Sequence, residues 1–114
     1  MARGYWIVRV DVSDPEAYGR YAQANGAAFA KFGGRFLVRG GGFEAVAGTA
    51  RARNVVLEFP TYEAALACWN SDLYQEARAL QGSTQAEILV IQGYDGPQPG
   101  ATEAPPTAST PASE

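Results

Sequence analysis

Hydrophobic and polar residues alternate along this chain with two different periods, which together define six elements. Four short segments are rich in Val, Ile, Phe, Tyr and Trp, a composition typical of strands. They are residues 4–12, 35–39, 53–59 and 86–94. Between them, apolar residues recur at helical spacing after Asp14 and again after Thr61. The predicted order is therefore β-α-β-β-α-β.

The ends of the two helices carry recognisable signals. Asp14 precedes a proline and is the predicted cap of the first helix, which should end at Gly33-Gly34. Thr61 caps the second helix. The pair Asn70-Ser71 interrupts that helix, and Ser71 is placed to cap a renewed turn.

With right-handed crossovers, this order predicts an α+β protein of the ferredoxin-like type. Its four-stranded antiparallel sheet would have the strand order 4-1-3-2, with both helices on one face. Residues 43–46 would continue or bulge the second strand. The domain would span residues 1–96. Residues 97–114 hold five of the seven prolines and no large apolar residue, so we expect a disordered tail.

The apolar residues of the strands do not all lie on one side of the sheet. The first strand turns Trp6 and its neighbours at every second position toward the helices, whereas Tyr5 and Ile7 take the other side with Leu37 and Val56. The last strand is apolar on both sides. Since two helices cover only one face, the second face predicts a homodimer.

Composition narrows the possible functions. The chain has 114 residues, a net charge of −3, no histidine and one cysteine, Cys68. We therefore expect no disulfide, no metal, no cofactor and no nucleic-acid partner, and we expect Cys68 to be a buried thiol. No apolar stretch is long enough to span a membrane and no signal peptide is recognisable, so a cytoplasmic location is the expectation.

Four segments of the chain resemble a known family. They are GYWIVRVDVSDPEAYGRYAQAN, AFAKFGGRFLVRGG, VVLEFPTYEAALACWNSDLYQEARAL and ILVIQGYDG. Together, over about residues 3–96, they resemble the domain-of-unknown-function 1330 family of the dimeric α/β-barrel superfamily. The resemblance implies a ferredoxin-like monomer whose sheet packs on that of a second copy to form a barrel. The wider superfamily includes cofactor-free monooxygenases, dye-decolourising peroxidases and small isomerases, whereas the family has no established reaction.

The first candidate site is a charged set on the face away from the helices. Strand alternation places Arg9, Asp11 and Glu58 on that face, with Arg39 assigned to it as well. Glu58 would then lie between two arginines inside the barrel. This arrangement suits a pocket for a small organic acid, with Glu58 as a catalytic base. The alternative is an ion-pair network that neutralises itself and fixes the dimer register.

The second candidate site lies on the helix side. Its members are Tyr18, Tyr21, Asn25, Trp69, Asn70 and Tyr74. By the resemblance, related oxygenases bind aromatic substrates between the sheet and the helices. The alternative is a set of core aromatic residues, with Asn70 at a helix break.

Three functions follow from these sites. The first is a homodimer that binds a small organic ligand without metal. The second is a cofactor-independent enzyme, monooxygenase-like or isomerase-like, acting on a small organic acid or an aromatic compound. The third is a purely structural or regulatory dimer.

Overall fold

The structure, a computed structural model, describes residues 2–82 and 84–100 of the 114-residue chain. Its elements are β1 (Gly4–Asp11), α1 (Pro15–Lys31), β2 (Arg35–Arg39), β3 (Arg53–Phe59), α2 (Tyr62–Asn70), α3 (Asp72–Arg78), a short 3-10 helix (Ala79–Gln81) and β4 (Gln85–Gln92). The predicted disordered tail lies, from residue 101 onward, outside the described residues.

The four strands form one antiparallel sheet in the order β2-β3-β1-β4. This is the predicted order read from the other edge, so the ferredoxin-like fold of the α+β class is confirmed. No helix among the described residues is both long and apolar enough to cross a bilayer.

Side-chain caps set the helix boundaries where the sequence indicated them. The Asp14 carboxylate accepts a hydrogen bond from the Ala17 amide at 3.1 Å. Gly33, with φ of 78°, reverses the chain after α1, a conformation that favours glycine. The Thr61 hydroxyl accepts from the Ala64 amide at 3.0 Å. These contacts satisfy amides that have no partner within the helix.

Ser71 divides the second helical segment into two helices. Its hydroxyl accepts from the Tyr74 amide at 3.1 Å and thereby caps α3. The helical spacing after Thr61 predicts one apolar side that includes Leu66, Trp69, Leu73, Ala77 and Leu80. The restart at Ser71 changes the helical phase, so this prediction is wrong for Leu73 and Leu80. Those side chains are 38% and 41% exposed, whereas Tyr74 is fully buried.

The core lies between the helices and one face of the sheet, around the fully buried Trp6. The Trp6 ring makes edge-to-face contacts with Tyr74 and Phe29, with ring centroids 4.8 and 5.2 Å apart. Its indole Nε1 donates to the carbonyl of Ala65 at 2.9 Å. This hydrogen bond offsets the cost of removing the indole N–H from water.

The second strand contains a bulge that the sequence did not reveal. Phe36 pairs with Leu57 while Val38 pairs with Val56, so the register shifts between Phe36 and Val38. Beyond Arg39, residues 40–52 form no strand, and the predicted continuation through residues 43–46 is wrong. The bulge reverses the faces of the residues after it.

Candidate functional site

The face of the sheet away from the helices, here called the open face, has an apolar centre. Val38 pairs with Val56, Val56 with Ile7, and Ile7 with Leu89. Because paired residues share a face, these four side chains form one apolar row across all four strands. Leu89 is 60% exposed. A concavity of about 460 Å³ lies beside the row.

A charged cluster lies at one end of the open face around Glu58. Its carboxylate accepts hydrogen bonds from Arg35 Nε and from the Tyr5 hydroxyl, each at 3.0 Å. Arg3 approaches the same carboxylate at 3.9 Å. The bonds from Arg35 and Tyr5 hold the pKa of Glu58 below its ordinary value, which weakens Glu58 as a base.

A second charged cluster lies at the other end of the open face. Arg51 donates to Asp11 at 2.7 Å and reaches Glu87 at 3.4 Å, while Arg9 bonds Glu87 at 3.2 Å. The Ala52 amide donates to Asp11 at 2.9 Å and is the largest cause of the lowered pKa of Asp11. Among the described residues, no three Cys, Asp or Glu side chains are grouped so as to hold a metal ion.

The predicted arrangement of the first candidate site is wrong in two respects. Arg39 pairs with Val55, which faces the helices, so the bulge turns Arg39 away from the open face. Glu58 pairs with Tyr5 in the sheet, four positions along β1 from Arg9, a separation of about 13 Å at the rise of a strand. Glu58 thus lies between Arg35 and Arg3 rather than between Arg9 and Arg39. Glu58, Asp11 and Glu87 on this face each have an arginine partner, an arrangement compatible with the ion-pair interpretation.

The helix side of the sheet contains a small cleft between α1 and the strands β2 and β3. Its lining residues are Val8, Tyr18, Tyr21, Ala22, Asn25, Phe29, Phe36, Arg39, Arg53, Val55 and Leu57. The buried residues Asn25 and Tyr21 form its base, whereas the exposed Arg39 and half-buried Arg53 form its mouth. The cavity volume is about 20 Å³, slightly more than a single water molecule requires.

Asn25 is the unusual residue at the base of this cleft. Its side chain is on α1, and the residue is only 7% exposed. The Asn25 amide interacts with the hydroxyl of Tyr21, but its buried Oδ1 atom has no hydrogen-bond partner among the described residues. Buried polar atoms nearly always have a partner, since an unsatisfied one costs about 1–3 kcal/mol.

The two arginines at the mouth have no carboxylate partner in the part of the chain that the structure describes. Arg39 stacks on the Phe36 ring, 4.3 Å from its centroid. Arg53 donates from Nε to the Tyr18 hydroxyl at 3.2 Å. Within residues 2–82 and 84–100, neither arginine forms an ion pair. The mouth therefore presents two guanidinium groups that are available to an anion.

The other members of the second candidate site serve the core or a helix end. The hydroxyls of Tyr21 and Tyr74 are 2.8 Å apart, and burial raises the pKa of both. Trp69 packs against the ring of Tyr74, and Asn70 donates to the carbonyl of Leu66 at 3.1 Å. Trp69 and Asn70 therefore do not line the cleft, whereas Tyr18, Tyr21 and Asn25 do.

Sequence reasoning missed Arg53 as a site residue. A usable signal was present, because Arg53 precedes Val55, Leu57 and Phe59 at the strand period of two and so takes the helix-side face. Cys68 is the buried thiol that was predicted. Burial raises its pKa to about 12, which makes it a poor nucleophile.

Comparisons with known proteins agree with this fold. Two crystal structures resemble the chain. The first is of the methylated RPA0582 protein, and the second is of RPA0582, a protein of unknown function from Rhodopseudomonas palustris. The first has a TM-score of 0.66 at 15% identity and covers 88% of this chain and 84% of that one. The second has a TM-score of 0.64 at 16% identity, covering 82% and 84%.

No curated protein matches the sequence. A family model, described as a domain of unknown function (DUF1330), matches residues 3–94. Because this match spans most of the chain, the protein belongs to the DUF1330 family.

Proposed function

We propose that this protein is a homodimer that binds a small organic anion, without metal, in the cleft between α1 and the sheet. The observation that carries the proposal is the unpartnered Oδ1 of Asn25, buried beneath the unpaired arginines Arg39 and Arg53. A purely structural dimer has no evident use for a buried acceptor that the protein leaves to an outside donor beneath two unpaired arginines. A single ligand could reach both features.

The charges favour an anionic ligand. Guanidinium groups bind carboxylates through paired, charge-assisted hydrogen bonds. Arg53 is already held in position by the Tyr18 hydroxyl, and Arg39 by the Phe36 ring. Positioned donors lose less side-chain entropy when a ligand binds. The Tyr18 and Phe36 rings, which lie beside the two arginines, would contact the apolar part of the same molecule.

A second copy of the chain is the proposed partner of the open face. Arginines and carboxylates flank the apolar row on both sides. The open face therefore offers both signs of charge to an identical surface. Self-complementarity of this kind is what a twofold interface requires. The concavity beside Ile7 and Leu89 gives room for apolar side chains of the partner.

The ligand proposal is tested by titrating the wild-type protein with mandelate, a small aromatic carboxylate, and measuring affinity by isothermal titration calorimetry. Arg53→Gln removes the charge while keeping a polar side chain of similar reach. We expect this variant to bind mandelate at least about tenfold more weakly, since a hydrogen bond to a charged group contributes about 1.5–3 kcal/mol.

Arg78→Gln is the matched control, because Arg78 is an exposed arginine that lies over the Trp69 ring outside the cleft. Its affinity for mandelate should equal that of the wild type. The proposal fails if the wild type gives no saturable binding, or if both substitutions weaken binding equally.

A further inference from the structure

The base of the cleft specifies a property of the ligand beyond its charge. We infer that Asn25 selects a carboxylate that bears a hydrogen-bond donor beside it, with a small hydroxy carboxylate as the preferred class. This inference rests on the proposed ligand site and adds the chemistry of the group that enters deepest.

The direction of the missing hydrogen bond defines the donor requirement. The Asn25 amide has one acceptor, Oδ1, and an NH₂ group that donates. The interaction of Asn25 with the Tyr21 hydroxyl lowers the pKa of Tyr21, opposing the larger effect of burial, as expected when the amide donates to the phenol oxygen. This leaves Oδ1 as the free atom. Oδ1 can only accept, so the ligand atom placed against it must carry a hydrogen.

The size of the base limits that donor to a small group. The cleft as a whole has a volume of about 20 Å³, which accommodates a hydroxyl or an amino group but not an aromatic ring, so the ring of a ligand would stay beside the arginines at the mouth. The lining beneath the mouth is otherwise apolar or aromatic, with Phe29, Val55 and Leu57 all buried. A carboxylate is disfavoured at this base, because it would lose its hydration and its negative charge would face the acceptor Oδ1 of Asn25.

The carboxylate would instead remain at the mouth. Arg39 is exposed and Arg53 half-buried, so a carboxylate held there keeps part of its hydration while it contacts two cations. The ligand would therefore span the cleft, with its hydroxyl on Asn25 and its carboxylate on the arginines. One molecule would then supply a donor to Oδ1 of Asn25 and an anion to the two arginines.

A pair of acids that differ by one hydroxyl group tests this inference. Mandelate and phenylacetate share the ring and the carboxylate, and only mandelate has the donor. We expect the wild type to bind one enantiomer of mandelate at least about tenfold more tightly than phenylacetate, because phenylacetate leaves Oδ1 unpaired. In Asn25→Ala, which removes the acceptor and adds space, the two acids should bind with similar affinity.

Gln23→Ala is the control, because Gln23 lies on the exposed side of α1 and should retain the wild-type preference. Circular dichroism establishes that each variant is folded. If Asn25→Ala does not fold, the wild-type ratio alone decides the matter. If the wild type binds both acids equally, or if the preference for mandelate persists in Asn25→Ala, the proposed role of Asn25 is overturned. The anion site still stands in either case. A wild type that binds neither acid overturns the anion site as well.

Discussion

At the scale of single residues, the two faces of the sheet treat their charges differently. On the open face, Glu58 is bonded to Arg35 and Tyr5, and Asp11 to Arg51. On the helix side, Arg39 stacks on an aromatic ring and Arg53 bonds a hydroxyl. No carboxylate in residues 2–82 and 84–100 pairs with either arginine. Charges that are already paired are compatible with burial in an interface, since they need no further partner. Unpaired charges of one sign favour a surface that binds a counter-ion.

The pairing of Glu58 predicts a pH dependence of stability. Its pKa is lowered from an ordinary value of 4.5, mainly by the bond from Arg35 and then by the bond from Tyr5. The stabilisation is therefore fully present above about pH 4.5 and is lost as the pH falls through the lower pKa of the folded state. Glu58→Gln should shrink the difference in unfolding free energy between about pH 6 and pH 3, measured by urea denaturation.

Glu76→Gln provides the control for that experiment. Glu76 is exposed on α3 and forms no ion pair within the part of the chain that the structure describes. Its pH profile should follow the wild type. An unchanged profile in Glu58→Gln would show that the Arg35 bond contributes nothing in solution.

At the scale of elements, the helix α2 approaches β1 so closely that only glycine fits at position 4. A Cβ atom added to Gly4 would lie 2.6 Å from the carbonyl oxygen of Thr61 and 2.8 Å from the Cβ of Ala65. Both neighbours are backbone or short side-chain atoms, so neither can rotate away. The contact fixes the start of α2 against the first residue of β1.

Gly4→Ala should therefore destabilise the protein by about 1–3 kcal/mol, the usual cost of overpacking. Gly19→Ala is the matched control. Gly19 lies on α1, and an added Cβ there meets nothing within 4 Å. That variant should gain up to about 1 kcal/mol, because alanine is the better helix former. Thermal unfolding shows directly whether each variant is more or less stable than the wild type. A Gly4→Ala variant as stable as the wild type would contradict the close approach of α2 to β1.

Elements were more predictable from the sequence than the site was. Caps such as Asp14 and Ser71 are local signals, so the helix ends and the helix break could be read from the neighbouring residues. The side of the sheet on which Arg39 lies could not be predicted, because it depends on a bulge in β2 whose register is set by pairing with β3. The cleft likewise depends on α1 meeting β2 and β3, and no local pattern shows that Asn25 Oδ1 lacks a partner.

At the scale of the whole molecule, the helices leave one face of the sheet uncovered. The row from Val38 through Val56 and Ile7 to Leu89 crosses the full width of that face. A continuous apolar row on a small domain is better buried than solvated, at about 25 cal/mol for each Å² removed from water. The cleft lies on the opposite side of the sheet, so pairing through the open face would leave it accessible.

The division of the sheet into a pairing face and a ligand face is tested most directly by sedimentation velocity. The wild type should sediment as a species of twice the 12.1 kDa chain mass. Leu89→Glu places a charge at the exposed β4 end of the apolar row and should give folded monomers. Leu80→Glu alters another exposed leucine, away from the sheet, and should remain dimeric. A wild type that stays at 12.1 kDa at high concentration, or a dimer that survives Leu89→Glu, would contradict the pairing face.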